Sequence, residues 1–204
     1  MGRAFYSRPV LAVARDLLGQ HLVSGAGGDR VVVRITEVEA YAAADDAASH
    51  AHGRRTARNA VMFGPPGHAY VYFTYGMHWC VNLVAETDGT AAAVLIRAGD
   101  VVSGTAVARE RRSGAVDRDL ARGPARLARA AGITGTLNGA DVTTRAAGLH
   151  VESAPRVRDE TVRRGPRVGI RTATELPWRL WIADDPTVSA FRPGTLRRRP
   201  PPAP

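Results

Sequence analysis

Two carboxylates one residue apart, Glu37 and Glu39, close a β-branched run from Arg30 to Tyr41 that is predicted to be the longest strand of the chain. Strict alternation puts Val31, Val33, Ile35, Glu37, Glu39 and Tyr41 on one face and Val32, Arg34, Thr36 and Val38 on the other. The acids are therefore expected to continue the more apolar side. A carboxylate on an apolar floor costs free energy unless it is paired or hydrogen-bonded, and acid–base groups concentrate in such places. The alternative is a frayed strand end at which both acids reach water.

Arg97 follows Val94-Leu95-Ile96 in a run that resembles a buried strand, where a guanidinium needs a carboxylate or a phosphate. Glu39 is a candidate partner; otherwise Arg97 leaves the strand end for solvent. Tyr70, Tyr72 and Thr74 share one face of a second hairpin, and Val71, Phe73 and Tyr75 the other, with Tyr75-Gly76 at the turn. A tyrosine at such a tip either acts as a wedge between base steps or folds back on its own hairpin. His50 and His52 flank one alanine and suggest a metallohydrolase, but two histidines without a third ligand in the motif equally describe an ordinary loop. Cys80, the only cysteine, reads as a small buried hydrophobe; an internal disulfide and a thiolate metal cluster are excluded.

The elements that must hold these residues are short. Val10, Leu11, Val13, Ala14, Leu17 and Leu18 have helical spacing after Pro9 and stop at Gly19. His21 to Ser24 and Arg30 to Tyr41 form a predicted hairpin around Gly25-Ala26-Gly27-Gly28-Asp29. Ala69 to Tyr75 and His78 to Val84 form the second, and Ala92 to Ala98 a buried strand. Residues 42–68 carry no clear period, and a long irregular segment inside a compact domain is usually functional. Gly123-Pro124 opens a helix that closes near Gly132. Val151, Arg167 to Ile170 and Trp178 to Ala183 are the remaining strand candidates. The fold class expected is mixed α/β (α+β): a single domain over residues 1–196 on an antiparallel sheet with flanking helices. The Arg/Pro-rich tail 197–204 is expected to be disordered.

At 204 residues, folding should bury roughly 70% of the unfolded surface. All 28 basic residues are arginine, against 19 acidic ones, for a net charge of +9. Guanidinium stays charged and grips phosphate in a bidentate fork, so the excess suits a polyanion, although a GC-rich genome gives the same composition. The N-terminus lacks the apolar core of a signal peptide, and no apolar run approaches the ~20 residues that span a bilayer. A cytoplasmic, nucleoid-associated location and no membrane partner are expected.

Glu37-Val38-Glu39-Ala40-Tyr41, His50, Thr56-Ala57-Arg58-Asn59 with Met62-Phe63, Tyr70-Val71-Tyr72, Tyr75-Gly76-Met77 and Asn82 together resemble the alkyladenine (3-methyladenine) DNA glycosylase family. The resemblance begins at Phe5-Tyr6 and Ala14-Arg15-Asp16-Leu17-Leu18-Gly19. It continues through Leu95-Ile96-Arg97-Ala98, Gly123-Pro124-Ala125-Arg126-Leu127 and Arg167-Val168-Gly169-Ile170. It implies a curved sheet like that of the formyltransferase C-terminal domain. It implies Glu39 as the base that deprotonates a water held by Arg97, with Glu37 in support. Tyr41, His50 and Tyr72 would stack on an extruded purine, Asn82 would screen its edge, and Tyr75 would fill the gap in the duplex. The implied partner is double-stranded DNA with a damaged purine, met by a monomer without cofactor or metal. The chain departs from the family's mammalian pattern between His50 and Met62, one residue shorter here, and at His52, where an arginine is familiar. Backbone-cutting glycosylases form a Schiff base through an amine; without lysine only the chain terminus could serve, and excision of the base alone is expected. The rival reading is a non-catalytic nucleic-acid-binding module of the same fold.

Overall fold

The computed structural model describes residues 1–25, 29–43, 46–74 and 76–194. The tail from 197 onward and Tyr75 lie outside them. The fold is α+β, built on one eight-stranded antiparallel sheet. Its strands are β1 (His21–Ser24), β2 (Val31–Tyr41), β3 (Ala69–Thr74), β4 (His78–Ala85), β5 (Ala92–Ser103), β6 (Leu149–Glu152), β7 (Val162–Gly165) and β8 (Arg179–Ile182). Along the sheet the order is β3-β4-β5-β2-β1-β6. One edge of β2 is shared, with β1 covering Val31 to Arg34 and β8 covering Glu37 to Glu39. Four helices accompany the sheet: α1 (Arg3–Tyr6), α2 (Val10–Leu17), α3 (Thr105–Arg111) and α4 (Pro124–Ala131).

Hydrophobic spacing decides where the core lies. Val10, Val13, Ala14 and Leu17 of α2 and Leu127, Ala128, Ala130 and Ala131 of α4 are buried. They join Val31, Val33 and Ile35 of β2 and Leu83, Val94 and Ile96 of β4 and β5 in the main core. Both helices thus cover one face of the sheet. On the other face Met62, Tyr70, Val84 and Ala93 begin a second, smaller cluster, beneath the irregular residues between β2 and β3, whose regular piece is a 3-10 turn over Ala60–Phe63.

The alternation expected along β2 does not survive intact. Opposite β5 the pairing steps from Ile35–Gly99 to Glu37–Ala98 and then to Val38–Ile96, leaving Thr36 and Arg97 as extra residues on their strands. Val38 and Ala40 therefore join Val31, Val33 and Ile35 in the main core, and Glu37, Glu39 and Tyr41 take the other face. The acids do not continue the apolar side; the bulge turns them away from it. Gly99 lies at this irregularity, where an added Cβ would run into the Val33 side chain and the Arg34 carbonyl.

A second expectation is also corrected. Residues 167–170 form no strand, and the strand of this region is β7. The backbone N–H of Val168 is given to a carboxylate and that of Gly169 to the Arg192 carbonyl, so neither is available to a ladder. The other predicted elements form, β5 continuing to Ser103, and α1, α3 and β7 are additional.

Candidate active site

The face of the sheet opposite the helices carries a cavity of about 340 Å³. Each of its strands contributes by parity: Glu39 and Tyr41 from β2, Tyr70, Tyr72 and Thr74 from β3, His78, Cys80 and Asn82 from β4, and Leu95 and Arg97 from β5. His50, Met62, the first turn of α4 and Val168 to Ile170 complete the lining.

Glu37 and Glu39 are fully buried, and each is met by donors. Glu37 Oε1 accepts from Arg97 Nε at 2.9 Å, Arg179 Nε at 2.7 Å and the Ser189 hydroxyl at 3.0 Å, and its Oε2 from the Ser189 N–H at 2.7 Å. Glu39 is held differently. Its Oε2 accepts from the Tyr41 hydroxyl at 2.8 Å and Arg97 Nη1 at 3.3 Å, and its Oε1 from the Val168 N–H alone, at 2.7 Å. Burial opposes the charge of Arg97, but Glu39 and Glu37 outweigh it and raise the guanidinium pKa. Burial and then the charge of Glu39 push the Tyr41 phenol well above its ordinary range, so it remains a donor.

The aromatic wall is built from β3 and the loop before it. The Tyr70 and Tyr72 rings stack with centroids 5.4 Å apart and planes 27° from parallel, and His50 meets Tyr72 edge-on at 4.5 Å. Nδ1 of His50 lies 3.2 Å from the Tyr70 hydroxyl. Partial burial and then the Arg58 guanidinium lower the His50 pKa and favour a neutral ring. Burial pushes the Cys80 thiol up to about 11, and it stays protonated at neutral pH. Asn82 Nδ2 donates to the Tyr70 carbonyl at 3.0 Å.

The structure thus brings Glu39, Arg97, Tyr41, His50, Tyr72 and Asn82 around one cavity. His52 is exposed and does not line it. Among the described residues no three His, Cys, Asp or Glu side chains gather as a metal site. Sequence reasoning gave Arg97 to Glu39, whereas its shorter contact is to Glu37. It missed Arg179, Ser189 and the Val168 N–H. Val168 acts through a backbone group, which no residue type advertises, while Ser189, with both its N–H and its hydroxyl, and Arg179, aimed by the pairing of β8 with β2, come from far off in sequence. Among the described residues no helix is long and apolar enough to cross a membrane.

Comparison with known proteins gives the chain's relatives. A family model described as methylpurine-DNA glycosylase matches residues 4–186. A protein of Frankia casuarinae is 51% identical over 201 residues, covering 94% of this chain and 93% of the relative. One of Streptomyces avermitilis is 51% identical over 200 residues, covering 97% and 94%, and one of Methanocella arvoryzae is 48% identical over 198 residues, covering 95% and 98%. All three carry the name "Putative 3-methyladenine DNA glycosylase".

Proposed function

Because this chain belongs to the methylpurine-DNA glycosylase family, a family of hydrolases acting on N-glycosyl bonds, we propose that it flips an alkylated or otherwise damaged purine out of duplex DNA into the cavity and hydrolyses the bond to the sugar. The product is an abasic site in an uncut strand. The observation that carries this reading is the buried Glu39 carboxylate in the wall of an aromatic cavity, one of its oxygens only partly used. A carboxylate oxygen has about two lone-pair sites. Oε2 already serves Tyr41 and Arg97, while Oε1 serves Val168 alone. A water bound at Oε1 gives its proton to that oxygen as its own oxygen bonds to the sugar carbon, and the bonding pair leaves with the base. The carboxylate also stabilises the positive charge that develops on the sugar.

Extrusion costs a few kcal/mol, least at a weakened pair. Tyr41, Tyr72 and His50 offset part of that by stacking, at about 1–3 kcal/mol per base, while Asn82 meets the purine edge. A purine alkylated on a ring nitrogen is cationic and departs as a neutral base, which suits a cavity whose His50 is kept neutral and whose Cys80 and Tyr72 hold their protons. Tyr75 is assigned to the gap left in the duplex. We take residues 1–196 as the glycosylase unit, working as a monomer on nucleoid DNA. The test is incubation with duplexes carrying 3-methyladenine, hypoxanthine or ethenoadenine, followed by analysis with and without alkali. Free base and a strand that breaks only after alkali are expected; no base released from any of the three would end the reading. Borohydride should trap no covalent protein–DNA adduct, since the chain has no lysine and its one other amine, at Met1, is held by the Val151 carbonyl and does not line the cavity.

A further inference from the structure

Below the cavity wall lies an ion pair that the reaction does not touch. Arg167 and Asp46 are both 0% exposed, with Nη1 to Oδ2 at 2.5 Å and Nη2 to Oδ1 at 2.7 Å. Nη1 also donates to the Ala40 carbonyl at 2.9 Å, and the guanidinium lies 4.5 Å over the Tyr41 ring and 5.4 Å over Trp178. Asp46 in turn accepts the N–H groups of Ala42 and Ala48, and its carbonyl that of Ser49. One buried pair therefore joins the end of β2, the loop that ends in His50, and the irregular segment that begins at Arg167.

That segment belongs to no strand, so side-chain anchors must fix its position. The anchor sits next to the residue that matters: Val168 donates to Oε1 of Glu39, the oxygen left to hold the water, while Val168, Gly169 and Ile170 line the cavity. The pair is a poor device for stability alone. Two ions leave water completely, Nε of Arg167 finds no partner among the described residues, and apolar replacements of similar volume often do as well. We propose that Arg167 and Asp46 are positioning residues for Glu39: they seat the Val168 N–H on Oε1 and hold the His50 loop and the 167–170 segment as one closed wall. The inference rests on the glycosylase reading, and it concerns the rate of bond cleavage rather than the affinity for DNA.

The test measures single-turnover excision, duplex affinity and thermal midpoint for the whole chain, using whichever of the three lesions the wild type releases fastest. Arg167→Met and Asp46→Leu each leave a buried charge unpaired and lose stability. The double variant Asp46→Leu/Arg167→Met removes both charges. Its midpoint should return toward wild type and its affinity should be unchanged, while excision stays about 100-fold slow, as expected when a reacting group is misplaced by an ångström or so. A merely structural pair would restore rate and midpoint together, and that result overturns the inference. Arg167→Lys gives a second measurement that does not depend on the double variant folding. It keeps the charge but not the fork that spans Asp46 and Ala40, and should slow excision at unchanged affinity; a wild-type rate counts against positioning. No release by the wild type sinks the glycosylase reading itself, whereas release by the wild type and undiminished release by the variants sinks this inference alone.

Discussion

Glu37 and Glu39 are one residue apart and equally buried, yet their surroundings give them different work. Glu37 does not line the cavity, and its Oε1 takes the guanidiniums of both Arg97 and Arg179 with the Ser189 hydroxyl, while its Oε2 takes the Ser189 N–H. Glu37→Gln leaves those two cations short of charge in a buried site, and should cost about 3–5 kcal/mol, read as a drop in thermal midpoint of about 2–4 °C per kcal/mol. An unchanged midpoint would mean the cluster is wetter than it looks. Cys80 gives a prediction in pH. Its thiol is pushed up from its ordinary value near 9.0 to about 11 in the fold, through burial first. A raised folded pKa means that its contribution to stability is complete below pH 9 and is lost as pH climbs through 11. The midpoint should therefore fall over that window, and Cys80→Ala should flatten the fall. At this scale the shared face of Tyr70 and Tyr72 was legible from alternation, whereas Asn82 was legible only from the family resemblance. Cys80 was read as a buried hydrophobe without its place in the cavity wall. Val168 was invisible because its contribution is a main-chain N–H, and Ser189 because it reaches Glu37 from 152 residues away.

At the scale of elements, the decisive feature is the double irregularity between β2 and β5. Without it the period of two would carry Glu37 and Glu39 into the main core beneath α2 and α4; with it they face the cavity. Gly99→Ala probes the bulge directly. The new methyl meets Val33 and the Arg34 carbonyl, so overpacking of about 1–3 kcal/mol is expected, with slowed excision because Glu39 and Arg97 flank the irregularity. Wild-type stability in this variant would show that the strands can part there freely. The hairpins, α2, α4 and the buried start of β5 were readable because each is local: a turn, a proline or glycine boundary, a run of branched residues. The bulge was not, since an extra residue leaves no mark in a hydrophobic pattern. The 167–170 segment was mistaken for a strand because Val168 and Ile170 alternate like one, although its backbone donors go to a carboxylate and to the Arg192 carbonyl.

At the scale of the molecule, a net charge of +9 carried by arginine alone defines how the chain should meet DNA. Affinity for undamaged duplex should fall linearly on a log–log plot against salt, by about 0.9 for each phosphate neutralised; a flat plot would remove the electrostatic argument. Composition gave this polyanion preference but not the reaction, which depends on one side chain in one cavity. The most direct measurement is therefore single-turnover excision, alongside binding, of wild type and Glu39→Gln on a duplex carrying one alkylated purine. The amide keeps the size of the acid but cannot take a proton from water. Excision should fall at least about 100-fold while affinity for the damaged duplex is retained. A Glu39→Gln protein that releases the base at the wild-type rate would contradict the account.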